Sequence, residues 1–310
     1  MMRSPAHSVV WLRRGAQRLG LVPTLGGSVA AWQLERAEGA FDLWRPWDGG
    51  SDLYRTASFP MVPWSNRISG GGFEEAGTFH PMRPNRAGEP YPIHGDGWLQ
   101  AWQLERQAGD AAAMTLESRH FDGSPYAYRA TQHFRLIDDG LEQTLEVQHL
   151  GTEALPYGLG VHPWFPRTAG TRIAAPVRGV WLSGKDPLPT AHTERIPQDW
   201  DLSRGTPAFG SFVDNAYTGW GGQARIEWPG QGMQLQLDMP DFDEDGGTAA
   251  HYCLMYRPAD GPAFCFEPIT QPIDAFHLEG RPGLRVLAQG QAMRMRIAWR
   301  FAELPGAACG

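Results

Sequence analysis

Between residues 100 and 150 apolar and polar side chains alternate one by one. Alternation of this kind divides side chains between the two faces of a strand, and no helix can segregate it. The runs 114–117, 126–136 and 141–150 carry the pattern, with Asp138-Asp139-Gly140 as a turn between the last two. Together they predict a β-meander. Strand character recurs at 8–13, within 19–45, and at 171–182, 224–228, 233–239, 253–256, 263–266 and 293–301, and no helical period runs longer than two turns. The 38 glycines and 26 prolines are spread along the chain, where many strands need turns between them. The expectation is an all-β chain, a large antiparallel β-sandwich of two packed sheets, forming one domain over residues 1–310. Residues 56–71 read as an ordered loop, 72–90 as a hairpin, and 240–250 as an acidic, glycine-rich loop. Residues 184–210, with Pro187, Pro189, Pro197 and Pro207, read as a long surface excursion.

A formal net charge of -7 argues against a nucleic-acid or anionic-membrane partner. Cys253, Cys265 and Cys309 form no CxxC pair and no zinc-type spacing, so neither a disulfide framework nor a structural metal is expected. The apolar run Val9-Val10-Trp11-Leu12 is too short for a secretion signal, and no run approaches the ~18 residues of a membrane span, so a cytoplasmic protein is expected.

Two segments concentrate chemistry. In Gly160-Val161-His162-Pro163-Trp164-Phe165 a histidine lies among aromatic residues, and the following proline biases its backbone toward an extended end-of-strand conformation. Imidazole titrates near neutrality, so such a histidine can serve as proton donor or acceptor. It can equally be a packed core histidine bonded to a carbonyl. Phe264-Cys265-Phe266-Glu267-Pro268 mirrors it, with a carboxylate set at the end of an aromatic strand. Burying a glutamate is costly unless it is paired or functional; an exposed strand end is the alternative. Arg67 and Asp214 complete the polar set.

Asn66-Arg67-Ile68, His94-Gly95 with Trp98, the His162 segment, Asp214-Asn215 with Gly219-Trp220, and Phe266-Glu267-Pro268 occur in an order that resembles the aldose 1-epimerase (galactose mutarotase) family, as does the C-terminal Val286-Leu287-Ala288-Gln289-Gly290-Gln291. The resemblance spans nearly the whole chain. It implies a sugar cleft on one face of the sandwich, a monosaccharide substrate and no cofactor. Position by position, it implies Glu267 as base, His162 as general acid, and His94 as a second histidine near the sugar's ring oxygen and anomeric end. Arg67, Asn66 and Asp214 would hold sugar hydroxyls, and Trp98 and Trp164 would stack on the pyranose. The chain departs from the family in Pro163-Trp164 beside the histidine and in Gln289 where proline is usual. Within the same superfamily, a phosphorylated hexose would require two or more cationic side chains at the sugar's far end, with Arg83, Arg86 and Arg129 as candidates. A sugar-binding protein that had lost catalysis would not need both His162 and Glu267, and the net charge of -7 mildly disfavours a third alternative, a cleft for uronic or other acidic sugars.

Overall fold

A computed structural model describes residues 7–240 and 251–305. Among these the regular structure is almost entirely β, with short 3-10 turns as the only helical elements. Among the described residues no helix is long and apolar enough to cross a membrane. The alternating run becomes the antiparallel meander Ala111–Arg119, Ala127–Ile137 and Gly140–His149, in which Leu136 faces Leu141 across the Asp138-Asp139 turn. Ala292–Glu303 joins its far side, and these strands sit in a nine-stranded sheet.

A second sheet of eight strands faces it. Its path runs Pro189–Thr193, Gly179–Ser183, Val213–Trp220, His251–Arg257, Ala263–Ile269, Gly160–Val161 and Pro60–Met61, and Trp164–Pro166 pairs with Ala263–Ile269 beside that path. One continuous core draws Leu145, Met295 and Trp299 from the first sheet and Tyr217, Met255, Phe264 and Phe266 from the second. A four-stranded sheet covering 10–44 adds Trp32 and Trp44, which meet edge-on at 5.3 Å; Trp44 meets Trp299 at 5.2 Å. Many of the thirteen tryptophans therefore serve the core.

Three local expectations change. Glu267 does not end its strand: Ala263–Ile269 continues through Pro268, whose neighbours Glu267 and Ile269 still pair with Leu254 and Tyr252. Residues 184–210 are not a plain surface excursion. They contribute the edge strand Pro189–Thr193 and bury Leu202 and Ala208, because proline is tolerated at strand starts and sheet edges. Within 56–71, Pro60–Met61 pairs with Gly160–Val161, the strand that leads into His162. The hairpin expected in 72–90 is Gly72–Glu75 with Thr78–Pro81. Most of the acidic loop, and Cys309, lie outside the described residues.

Candidate active site

The candidate site lies on the outer face of the eight-stranded sheet. Along Ala263–Ile269, Phe264 and Phe266 enter the sandwich core, and strand alternation sends Ala263, Cys265, Glu267 and Ile269 the other way. Antiparallel register then places Leu254 opposite Glu267, Tyr256 opposite Cys265, and Asp214 opposite Tyr256. Three adjacent strands thus present Asp214, Tyr256 and Glu267 on one face. With residues of other segments they line a cavity of about 600 Å³, whose lining includes Tyr54, Arg67, His94, His162, Asp214 and Glu267. That volume is within the roughly 300–1,000 Å³ of small-molecule sites.

At the floor, His162 Nε2 lies 3.2 Å from Glu267 Oε1, with both side chains almost fully buried. The imidazole is stacked with Phe59 at 4.6 Å and Trp164 at 5.5 Å, and its backbone N–H donates to the Phe59 carbonyl. Burial pulls His162 down to about 3 and pushes the Glu267 carboxyl well above its usual range. Both directions favour the uncharged forms, a neutral imidazole beside a neutral carboxyl. His162 Nδ1 and Glu267 Oε2 are buried without partners. Such orphaned groups are costly, and they cluster where a ligand is to be met.

His94 is fixed by a reciprocal clasp. Its backbone N–H donates to the Asn66 carbonyl at 3.0 Å, and Asn66 N–H donates to His94 Nδ1 at 3.0 Å. Both residues have left-handed backbone, φ 60° for His94 and 57° for Asn66. With Nδ1 accepting, a neutral ring carries its proton on Nε2. Burial, then the charges of His162, Arg67 and Arg86, hold His94 well below its ordinary pKa. The unfolded chain therefore takes up a proton at this residue, as pH falls through about 6.5, that the folded chain does not. Stability should decline on that side, and His94→Gln should remove about 1.4 kcal/mol of the decline per pH unit below 6.5. Thermal unfolding of parent and variant at pH 7 and 5.5 measures it; parallel losses in both proteins would show that His94 is not the source.

Arg67 grips Glu89 through Nε and Nη2, each at 3.0 Å, and reaches Asp214 at 3.5 Å and the Asn66 side chain at 3.3 Å through Nη1. Burial raises the Asp214 carboxyl and Arg67 opposes the rise. The structure therefore brings His94, His162, Glu267, Asn66, Arg67, Asp214 and Trp164 to one cavity. Trp98 is different. It is outside the lining, packed behind the clasp against Tyr54 and Phe59, and its Nε1 donates to the Ile93 and Gly95 carbonyls. It supports the His94 loop instead of forming a sugar platform.

The sequence reading missed Glu89, which falls in the segment read only as a hairpin, and Tyr54, which lines the cavity with its hydroxyl buried and unpartnered. No local pattern distinguishes either residue. Of the three arginines considered for a phosphate, Arg86 alone lines this cavity. Arg83 borders a smaller one, and Arg129 pairs with Glu117 on the nine-stranded sheet. The ligand atoms of His162, Cys265 and Glu267 lie within 4.8 Å of one another. Burial keeps the Cys265 thiol protonated, however, whereas a metal takes a thiolate. Cys253 and Cys265 are free and buried.

Comparison with known proteins converges on one family. The family model described as aldose 1-epimerase matches residues 8–299. The Escherichia coli (strain K12) protein YphB, itself uncharacterized, is 34% identical over 266 residues, covering 83% of this chain and 89% of YphB. A crystal structure of an E. coli K12 protein provisionally described as an aldose 1-epimerase superposes with a TM-score of 0.87 at 30% identity, covering 96% of this chain and 99% of that one. A galactose mutarotase-like protein from Clostridium acetobutylicum shares the fold at 16% identity, with a TM-score of 0.81 and 96% of each chain covered.

Proposed function

This chain belongs to the aldose 1-epimerase family, and from that premise we propose that it interconverts the α and β anomers of an aldose by acid/base-catalysed ring opening and closure. The observation that carries the proposal is the buried His162–Glu267 contact at 3.2 Å in the lining of a sugar-sized cavity, with His162 Nδ1 and Glu267 Oε2 buried and unpartnered.

The chemistry follows from one shared proton. When it sits on His162, the pair is a carboxylate beside an imidazolium. Glu267 then removes the proton of the anomeric hydroxyl, and His162 delivers its own proton to the ring oxygen. The C1–ring-oxygen bond breaks as the C1 carbonyl forms, leaving an open-chain aldehyde with a neutral carboxyl and a neutral imidazole, the state that burial favours. Rotation about C1–C2 presents the other face. Closure runs the transfers backwards and regenerates the imidazolium and carboxylate. Each positioned acid or base contributes roughly 10²–10⁴ in rate. His94, kept neutral, donates from Nε2 to the oxygens at the anomeric end without competing for the acid's role. Asn66, Arg67 and Asp214 fix hydroxyls, and Trp164, stacked with His162 and carrying Arg45, walls the pocket.

The direct test is optical rotation of freshly dissolved α-glucose and α-galactose with and without protein. Faster decay is expected for an aldose that fits. Sugar binding without acceleration would favour a non-catalytic sugar-binding protein. The arginine cluster should act mainly on binding: Arg67→Ala is expected to raise KM at least ~10-fold with a smaller change in kcat. Because it leaves Glu89 and Asp214 without their cation, it should also lower the melting temperature. A large fall in kcat at constant KM would assign Arg67 to the chemical step instead.

A further inference from the structure

Not every cation around the cavity has an ion-pair partner. Arg67 is neutralised by Glu89 and Asp214, and Arg55 has Asp48 at 3.7 Å. Arg45 and Arg86 line the same cavity, and among the described residues neither has a carboxylate within ion-pair distance. Arg45 is the more telling of the two. It is half-buried, and burial pulls its pKa down. Its Nη2 donates to the Tyr54 and Thr56 carbonyls at 2.6 and 2.7 Å, and its guanidinium lies 4.3 Å over the Trp164 ring. Asp48 and Asp52 act on it only from beyond ion-pair distance, and two carbonyls and an indole face do not replace a close counter-ion for a partly desolvated charge. Arg86 sits over the Tyr54 ring at 3.5 Å from its centroid.

Both cations are close to the reacting pair. Trp164 stacks with His162 and also carries Arg45, and Tyr54 meets His162 at 5.7 Å and also carries Arg86. The positive charge of each guanidinium opposes protonation of His162. An anion bound between them would relieve that opposition.

We propose that the substrate is an aldose bearing a carboxylate at the end remote from its anomeric carbon, a uronic acid, received by Arg45 and Arg86. The inference rests on the anomerase reading of this site. A planar carboxylate matches the guanidinium fork. A single negative charge also suits a rim that already holds Asp52 and Asp260, where a dianionic phosphate would meet repulsion. Burial is the main cause of the low His162 pKa and the two guanidinium charges add to it, so a carboxylate bound beside them eases formation of the imidazolium that protonates the ring oxygen.

The experiment measures anomer exchange by magnetisation-transfer NMR for galacturonate and glucuronate, galactose and glucose, and glucose 6-phosphate, with calorimetric binding of the same sugars in parallel. A kcat/KM for a uronate at least tenfold above that of its neutral counterpart is expected. Arg86→Gln, at an exposed side chain with no hydrogen bond to the backbone, should remove most of that preference by lowering kcat/KM for the uronate. Arg45→Lys, which keeps the charge but loses the fork, should reduce it in part. Neutral hexoses handled as well as uronates, a preference for the 6-phosphate, or a uronate preference unchanged in both variants would each overturn the proposal. If no sugar is anomerised but uronates still bind preferentially in an Arg86-dependent way, the catalytic reading fails and the carboxylate site stands. If neither turnover nor binding favours uronates, the carboxylate site fails whatever the catalytic outcome.

Discussion

Glu267→Gln is expected to lower the rate of anomer exchange by roughly 10²–10⁴-fold, the contribution of a positioned general base. An amide has no lone pair basic enough to take the anomeric proton. Folding should change little, because burial already favours a neutral side chain here and Gln preserves shape and neutrality. Its amide can lie against His162 Nε2 as the carboxyl does at 3.2 Å. His162→Asn should cost a similar factor through the acid. The double variant should be little worse than either single one, because acid and base work on one proton. Exchange NMR beside a sugar-binding titration separates the outcomes. Retention of the parent rate within a few-fold in Glu267→Gln would move the base elsewhere, with Asp214 the next carboxylate on the same face.

Gly95→Ala should be the most damaging single-methyl change near the site. Gly95 has φ +69°, and an added Cβ would lie 2.1 Å from the Val62 carbonyl oxygen and 2.6 Å from Pro63 N, both backbone atoms that cannot swing away. Left-handed backbone costs a non-glycine residue about 1–2 kcal/mol, and overpacking adds about 1–3 kcal/mol. The loop must shift, and His94 is the preceding residue. Several degrees should be lost from the melting temperature, and anomerisation should fall even in the folded fraction, because the clasp between His94 and Asn66 is displaced. A normally active, normally stable Gly95→Ala protein would show that the loop tolerates movement and that the position of His94 is not critical.

The strands of the meander were readable because each alternates a core residue with a solvent residue, a local signal that needs no partner. Ala263–Ile269 was harder to read. Both of its faces are buried, so alternation vanishes, and Pro268 suggested an end that the pairing with Tyr252–Tyr256 overrides. The juxtaposition of His162 and Glu267 came from family resemblance in the order of motifs, since nothing local specifies a contact between residues so far apart. Glu89 and Tyr54 were invisible for a related reason. Their importance arises from burial beside Arg67 and His162, and burial of a loop residue is decided by what folds over it. Trp98 was misplaced because an aromatic beside a histidine reads alike whether it faces the ligand or props the loop; the two carbonyls on its Nε1 decide the matter.

The cavity is assembled from two kinds of backbone, and this has an evolutionary consequence. Glu267 and Asp214 ride on paired strands whose reverse faces hold the core, so altering their geometry means repacking the sandwich. Arg55, Arg86 and Asp260 stand on connecting segments of the rim, where exposed side chains can be exchanged without disturbing those ladders. Descendants of such a chain can therefore explore new sugars by drifting at the rim while inheriting the proton-transfer apparatus intact. Substrate range and reaction type occupy separately mutable parts of the same pocket.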